Sequence, residues 1–300
     1  MSRGPLVSIE PALKEAGIFM EEVLDELLPQ PLGAEARLIE AMRYATLGGG
    51  KRFRAFLVLQ SGRLFGVDRR ALSRAAAAIE CIHAYSLVHD DLPAMDDDDI
   101  RRGKPATHKQ FDEATAILAG DALLTLSFAL LADSETHTDP HVRCDLVARL
   151  AQAAGWHGMV GGQMIDIASE GKSVDAGQIT RLQRSKTGAL ITFACEAGAI
   201  MGKASPHMRQ SLLNFAQDVG LAYQIADDLL DVEGEPGQMG KAARKDRMAG
   251  KATFVTIMGP ERARAQAQLL ATQAMAHLEL FDEKADLLRG ISGWVVGRRA

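Results

Sequence analysis

The sequence predicts an all-α protein, and three observations carry that expectation. Alanine and leucine dominate over the β-branched and aromatic residues that favour strands, and Phe, Trp and Tyr together make only 5% of the chain. The ten prolines stand at positions 5, 11, 29, 31, 93, 105, 140, 206, 236 and 260, leaving long proline-free stretches that can each hold one or more helices. Within those stretches apolar residues recur at three- and four-residue intervals, the period of a helix with one buried face. With 47% hydrophobic content in 300 residues there is ample material for a core, and the lack of a short repeat or low-complexity linker favours one domain spanning 1–300.

Taken in order, the segment from Pro11 to Leu28 carries Leu13, Phe19, Val23, Leu24 and Leu27 at helical spacing, and Pro29 and Pro31 end it. Ala34 to Leu47 forms a second helix with Leu38, Met42 and Ala45 on one side, broken by Gly48-Gly49-Gly50. Lys51, Arg52 and Arg54 follow at once. Consecutive glycines expose backbone N–H groups and the cations add charge, so Gly50, Lys51 and Arg54 suit a phosphate cradle; a helix C-cap followed by surface cations fits the same residues. Ala71 to Asp91 reads as a long helix, small enough at Ala75 to Ala78 for close packing, carrying His83 and Tyr85 towards its end. A loop through Pro93 to Pro105 leads to an apolar helix from Ala114 to Leu131.

Asp145 to Ser169 reads as one glycine-spaced helical segment, ending in Gln163 and Asp166. Asp175 can cap the next helix, on which Lys186 and Thr187 interrupt apolar sequence, and Ser205-Pro206 is an N-cap and N1 pair for the one after it. That helix reaches Gln224 and the acidic run Asp227-Asp228-Leu229-Leu230-Asp231. Gly234 to Lys251, rich in Gly and Lys and including Lys241 and Lys245, reads as a loop or lid. Glu261 to Ala300 holds two helices and a basic tail, Arg298-Arg299.

Charge and cysteine usage narrow the function classes. A net charge of −5 argues against a general nucleic-acid binder, while local cationic clusters still admit small anionic ligands. Cys81, Cys144 and Cys195 are odd in number, far apart and set in apolar sequence, so they make neither a zinc spacing nor a disulfide framework. The first thirty residues lack a signal peptide's apolar stretch and no uninterrupted apolar run approaches membrane-spanning length, so the expectation is a cytoplasmic protein without a membrane span.

The densest chemistry lies at Asp90 to Asp99, where six carboxylates directly follow Ile79, Ile82, Leu87 and Val88. Like charges about 4 Å apart repel by roughly 1 kcal/mol even in water, so a folded cluster calls for cations; a solvated acidic loop is the other reading. Arg101 and Arg102 follow, and carboxylates for a hard cation beside guanidinium groups for a phosphate are what a magnesium-diphosphate site needs. The second run repeats the pattern: Asp227 and Asp231 are four apart on one helical face and can reach one ion or two adjacent ions. Two aspartate clusters, each ending an apolar helix and each near cations, are far more specific than either alone.

At these residues the chain resembles the trans-isoprenyl diphosphate synthases, most closely the bacterial farnesyl-producing group, over nearly its whole length and most strongly from Gly49 to Lys251. The resemblance implies a barrel of long helices around a deep central cavity, a homodimer, and a Mg²⁺-dependent prenyl transfer between isopentenyl diphosphate and allylic diphosphates. It implies Asp90, Asp91, Asp96 and Asp227 as leading Mg²⁺ ligands with Asp228 and Asp231 in support. Lys51, Arg54, His83 and Arg102 match positions around the isopentenyl diphosphate. Arg101, Lys186, Thr187, Gln224 and Lys241 match positions around the allylic diphosphate, and Tyr85 the position that limits product length. Catalysis would then fall chiefly to Asp90, Asp96, Asp227, Lys186 and Arg101, with Gly50 and Lys251 in the substrate-binding loops. Ala55, where the family commonly has proline, and Arg244, where the lid often has glycine, depart from the pattern. A geranylgeranyl or longer-chain synthase on the same fold, and a non-catalytic helical partner, are the competing readings.

Overall fold

The computed structural model describes residues 8–172, 174–233 and 253–298. It is helical almost throughout, as the composition predicts. Helices α1 (Glu10–Leu27) and α2 (Ala36–Thr46) are followed by α3 (Phe53–Arg63) and the long α4 (Arg69–Asp90). A hairpin of two short strands, β1 (Ile100–Arg101) and β2 (Lys104–Pro105), leads into α5 (Thr107–Gln110) and α6 (Glu113–Ala132). Next come α7 (Pro140–Ala154), α8 (Met159–Ser169), α9 (Ala176–Gln183), a π-helical turn (Arg184–Gly188) and α10 (Ala189–Met201). The chain closes with α11 (Pro206–Glu233), α12 (Phe254–Met258), α13 (Pro260–His277) and α14 (Asp286–Gly297).

The centre of the bundle is α3, α4 and α10. Ala75 to Ala78 are completely buried, and that run of small side chains lets α4 pack closely against α3 and α6. Helix α10 is buried from Phe193 through Met201, and it sits between α3 and α11. Caps fix several starts: Asp68 accepts from the N–H groups of Arg70 and Ala71, and Asp175 and Gln178 form a reciprocal capping box.

Four differences from the sequence reading matter. Helix α3 is not foreseen there, because nearly every side is buried from Phe53 to Leu59 and such a segment has no polar face to mark its period. The stretch from Asp145 to Ser169 is broken, since α7 ends at Ala154 and α8 starts at Met159, with Gly155 to Gly158 turning the chain between them. The loop after Pro93 folds into the β1–β2 hairpin. Lys186 and Thr187 sit on the π-helical turn rather than on a regular helix, and such single widened turns recur at functional sites.

Among the described residues, α6 is the one helix long and apolar enough to cross a membrane, with mean hydropathy 1.8 over its best window; it packs against α4, α2 and α7. The three cysteines form no disulfide; Cys81 and Cys195 are buried, Cys144 is exposed. The proposed lid, with Lys241, Arg244, Lys245 and Lys251, lies outside the described residues, as does Arg299.

Candidate active site

A cavity of about 580 Å³ opens between the C-terminal end of α4, helix α8 and the π-helical turn. Asp90, His83 and Tyr85 line it from α4, Arg54 from α3, and Lys186 and Thr187 from the turn; Leu92, Met95, Met159, Met164 and Leu190 supply apolar wall. An apolar chamber with a few converging charges is the usual form of a small-molecule site.

Helix α4 delivers Asp90 and then stops. The following loop folds back onto it: the Asp96 N–H donates to the Asp90 carbonyl at 2.8 Å and the Asp98 N–H to the Asp91 carbonyl at 3.1 Å. This brings Asp96 back beside Asp90, where its charge adds to that of Asp91. Burial is the main force on the Asp90 carboxyl and pushes it up to about 6, with Asp96 and Asp91 adding to the rise and Lys186 and Arg101 opposing it. Two neighbouring carboxylates, Asp90 and Asp96, are the kind of oxygen donors that suit a hard divalent cation such as Mg²⁺. Asp91 points elsewhere. It is 2% exposed and held by Arg101, whose Nε lies 3.0 Å from Oδ1 and 3.1 Å from Oδ2. Its carboxylate therefore anchors Arg101.

On α11 the same division occurs, because consecutive helical residues project about 100° apart and cannot share a face. Asp228 turns inward, 4% exposed, accepting from Gln224 Nε2 at 2.9 Å and from the Phe254 N–H at 3.1 Å. Asp227 takes the adjoining face, where it is half-buried and Arg298 Nη2 meets it at 2.5 Å. Enclosure raises the Asp227 carboxyl, against the pull of Arg298, Lys51 and Arg54. Arg54 thus links the motifs: it lines the cavity beside Asp90, acts on Asp227, and its buried Nε has no protein hydrogen-bond partner. Asp231 follows Asp227 by one turn on α11.

The cationic segments also converge. Gly48, Gly49 and Gly50 have φ of +96°, +103° and +117°, a run of conformations only glycine adopts readily. The Arg102 guanidinium reaches this loop, Nη1 donating to the Gly49 carbonyl at 2.9 Å. Lys51 Nζ lies 5.6 Å over the Trp294 ring and interacts with Asp227. Arg52, between the two cradle cations, is withdrawn: it is buried against Glu80, Glu21 and the Thr46 carbonyl. His83 is held well below the ordinary imidazole value by burial and then by Arg54, Arg102, Arg101 and Arg52, so it is neutral near pH 7.

Lys186 is oriented by Asp166, Nζ to Oδ2 at 2.5 Å, and Thr187 Oγ1 donates to Gln224 Oε1 at 3.1 Å, which ties the π-helical turn to α11. Helix α8 approaches this turn so closely that a Cβ on Gly162 would stand 2.3 Å from the Lys186 backbone nitrogen. Asp166 is a neighbour that sequence reasoning did not place in the site, whereas Arg298 belongs to the basic tail that reads as a candidate for closing the cavity against water. Asp166 is visible in the sequence only as a lone acid on a glycine-spaced helix.

Residues 35–288 match the polyprenyl synthetase family. The chain belongs to that family. It is 44% identical over 266 residues to the farnesyl diphosphate synthase of Escherichia coli K12, covering 87% of this chain and 89% of that one. It is 40% identical over 293 residues to the farnesyl diphosphate synthase of Geobacillus stearothermophilus, covering 97% and 98%. The crystal structure of an FPP/GFPP synthase from Zymomonas mobilis, solved in the apo state, superposes with a TM-score of 0.88 at 49% identity, covering 96% of this chain and 99% of that one. The polyprenyl synthetase fold is the all-α isoprenoid-synthase barrel that the sequence resemblance implies.

Proposed function

We propose that this polyprenyl synthetase is a Mg²⁺-dependent trans-prenyltransferase that condenses isopentenyl diphosphate with dimethylallyl and then geranyl diphosphate, giving farnesyl diphosphate. The observation that carries the reading is the convergence of Asp90, Arg54 and Lys186 on one apolar-walled cavity, with Arg54 also acting on Asp227.

Asp90 and Asp96 from one side, and Asp227 with Asp231 from the other, would hold Mg²⁺, with Asp91 and Asp228 fixing Arg101 and Gln224 around them. Mg²⁺ held by these carboxylates would neutralise the diphosphate and ease loss of the leaving group. Lys186, Thr187, Arg101 and Gln224 bind and orient the allylic diphosphate, and preorganised cations favour the charge that gathers on it as the C1–O bond breaks. Lys51, Arg54, Arg102 and neutral His83 hold the second diphosphate, setting the double bond of isopentenyl diphosphate against the allylic C1. The new C–C bond forms from that π pair, and the proton at C2 then leaves to the released diphosphate. Leu92, Met95, Met159, Met164 and Leu190 keep water from the cation. Lys241 and Lys251 belong to the same reading as loop contributions to diphosphate binding.

We further propose a single functional unit over 1–300 that works as a cytoplasmic homodimer. Support comes from α6, whose apolar composition leaves Ile117 at 44% and Leu118 at 55% exposure on one chain. A second copy is the occupant that would bury them. A longer product is the second reading, since the Zymomonas mobilis relative is an FPP/GFPP synthase. Incubating the protein with isopentenyl and dimethylallyl diphosphates and Mg²⁺, then chromatographing the dephosphorylated products, tests the reaction. Farnesol as main product is expected, and no Mg²⁺-dependent allylic product would refute the reading.

A further inference from the structure

Asp97, Asp99 and His108 each bring one ligand atom into a group whose members all lie within 4.8 Å of one another. None of the three lines the cavity that holds Asp90. His108 is only 7% exposed, yet neither Nδ1 nor Nε2 has a hydrogen-bond partner. A buried imidazole left without partners is costly, so its placement against two carboxylates needs a reason.

The chain assembles this group deliberately. Asp97 takes a left-handed backbone, φ 48°, with its N–H donating to the Leu92 carbonyl at 3.1 Å. The β1–β2 hairpin then pairs Ile100 with Pro105 and Arg101 with Lys104, and the Ala106 N–H donates to the Asp99 carbonyl at 2.8 Å. The hairpin therefore returns His108 to the two aspartates that precede it. Between them it displays Arg101, held by Asp91, and Arg102, held by Gly49.

We propose that Asp97, Asp99 and His108 form a divalent-cation site distinct from the Mg²⁺ ligands Asp90, Asp96, Asp227 and Asp231, one that binds a transition ion of the Mn²⁺, Co²⁺ or Zn²⁺ kind and braces the hairpin carrying Arg101 and Arg102. The donor set selects the ion class. Imidazole nitrogen suits Zn²⁺ and Co²⁺ best and is accepted by Mn²⁺, the weakest binder of the series, whereas Mg²⁺ takes oxygen ligands. Two carboxylates match the dication's charge, and the exposure of Asp97 and Asp99 leaves room for water to complete the coordination. Lys109 Nζ, 2.9 Å from Asp99 Oδ1, is the resident counter-charge and competes with the ion.

Mn²⁺ is the probe, added to the full-length protein in excess Mg²⁺ so that the oxygen-only motifs are filled first. Electron spin-echo modulation then reads nitrogen directly bound to Mn²⁺. The expected result is one imidazole ¹⁴N coupling in the wild type and in an Asp90→Asn/Asp227→Asn variant, and none in His108→Gln. Asp97→Asn, which asparagine's tolerance of left-handed backbone keeps folded, and Asp99→Asn should weaken Mn²⁺ binding roughly tenfold or more. Lys109→Met should tighten it by roughly two- to fivefold, the range of an exposed ion pair. No nitrogen coupling in the wild type, a coupling that survives His108→Gln, or one lost in the Asp90→Asn/Asp227→Asn variant would overturn the proposal.

Discussion

Arg298 Nη2 stands 2.5 Å from Asp227 Oδ1, while its guanidinium lies 3.9 Å over the ring of Tyr223, one turn earlier on α11. A residue at the end of the described chain thus occupies one oxygen of the second acidic motif. The Tyr223 carbonyl accepts a further bond from the same Nη2 at 3.0 Å. In this arrangement the guanidinium provides the positive charge that a divalent ion would bring, so cation binding at Asp227 must displace or share it. Arg298→Ala should lower the Mg²⁺ concentration for half-saturation by roughly two- to fivefold, equivalent to about 0.5–1 kcal/mol for a partly solvated pair. Calorimetric titration of the substrate-free protein measures this; an unchanged Mg²⁺ demand would remove the competition.

The two diphosphate pockets should separate in kinetics. Lys51→Ala and Arg54→Ala are expected to raise KM for isopentenyl diphosphate by roughly tenfold or more, the value of a charge-assisted contact of about 1.5–3 kcal/mol. Lys186→Ala should act on the allylic substrate instead. Varying each substrate at saturating levels of the other decides it, and an equal rise in both KM values for all three variants contradicts the assignment.

Gly162 tests the mounting of Lys186 rather than its charge. A methyl group there would lie 2.3 Å from the Lys186 nitrogen and 2.6 Å from its Cα, both backbone atoms that cannot swing away. Gly162→Ala should therefore push the π-helical turn off α8, costing about 1–3 kcal/mol as overpacking does. Allylic KM should rise together with a fall in Tm, and a variant with wild-type Tm would show that the turn yields freely.

His83 gives a pH-dependent stability with a definite sign. Its imidazole is depressed in the folded protein, so between that value and the unfolded value near 6.5 the unfolded chain binds more protons. Stability contributed by neutral His83 is present above about pH 6.5 and is lost as pH falls below it. Urea midpoints at about pH 5 and about pH 7.5 should differ less in His83→Gln than in the wild type. Equal pH dependence in the two proteins would mean that His83 protonates without cost.

Which of these features the sequence discloses follows from what kind of signal each one leaves. Asp90 and Asp227 are legible because charge pressed against Ile79, Ile82 and Val88, or against Ile225 and Ala226, has no purpose in a plain core. The division of labour within each motif is not legible. Asp91 faces Arg101 and Asp228 faces Phe254 because of the direction each side chain takes from its helix and of a partner contributed by a later segment. Helix α3 is hidden for the opposite reason, since complete burial erases periodicity. Lys186 and Thr187 are visible as polar interruptions, but the π-helical turn that aims them depends on how closely α8 can approach at Gly162.

Tyr85 carries the last prediction, on product length. It lies five residues before Asp90 on α4, so its backbone is roughly 7–8 Å further along the helix axis, away from the carboxylate end of the cavity. Five residues also rotate the side chain off the Asp90 face, yet the ring still lines the cavity, at 8% exposure. A neighbour in the cavity wall braces it: the His89 ring stands edge-on at 5.2 Å, and His89 Nε2 is itself 3.0 Å from the Ile117 carbonyl. A ring so braced cannot rotate away cheaply, and an allylic chain growing from a diphosphate held near Asp90 meets it as an obstruction. Replacing it with alanine removes the obstruction and touches none of the groups that ionise the substrate. Tyr85→Ala should therefore shift the main product from farnesyl to geranylgeranyl diphosphate and longer chains, with dimethylallyl turnover kept within about threefold, the effect of less than 1 kcal/mol on the barrier. Chromatography of the dephosphorylated products reads the shift directly, and an unchanged distribution would mean that this ring does not set the stop.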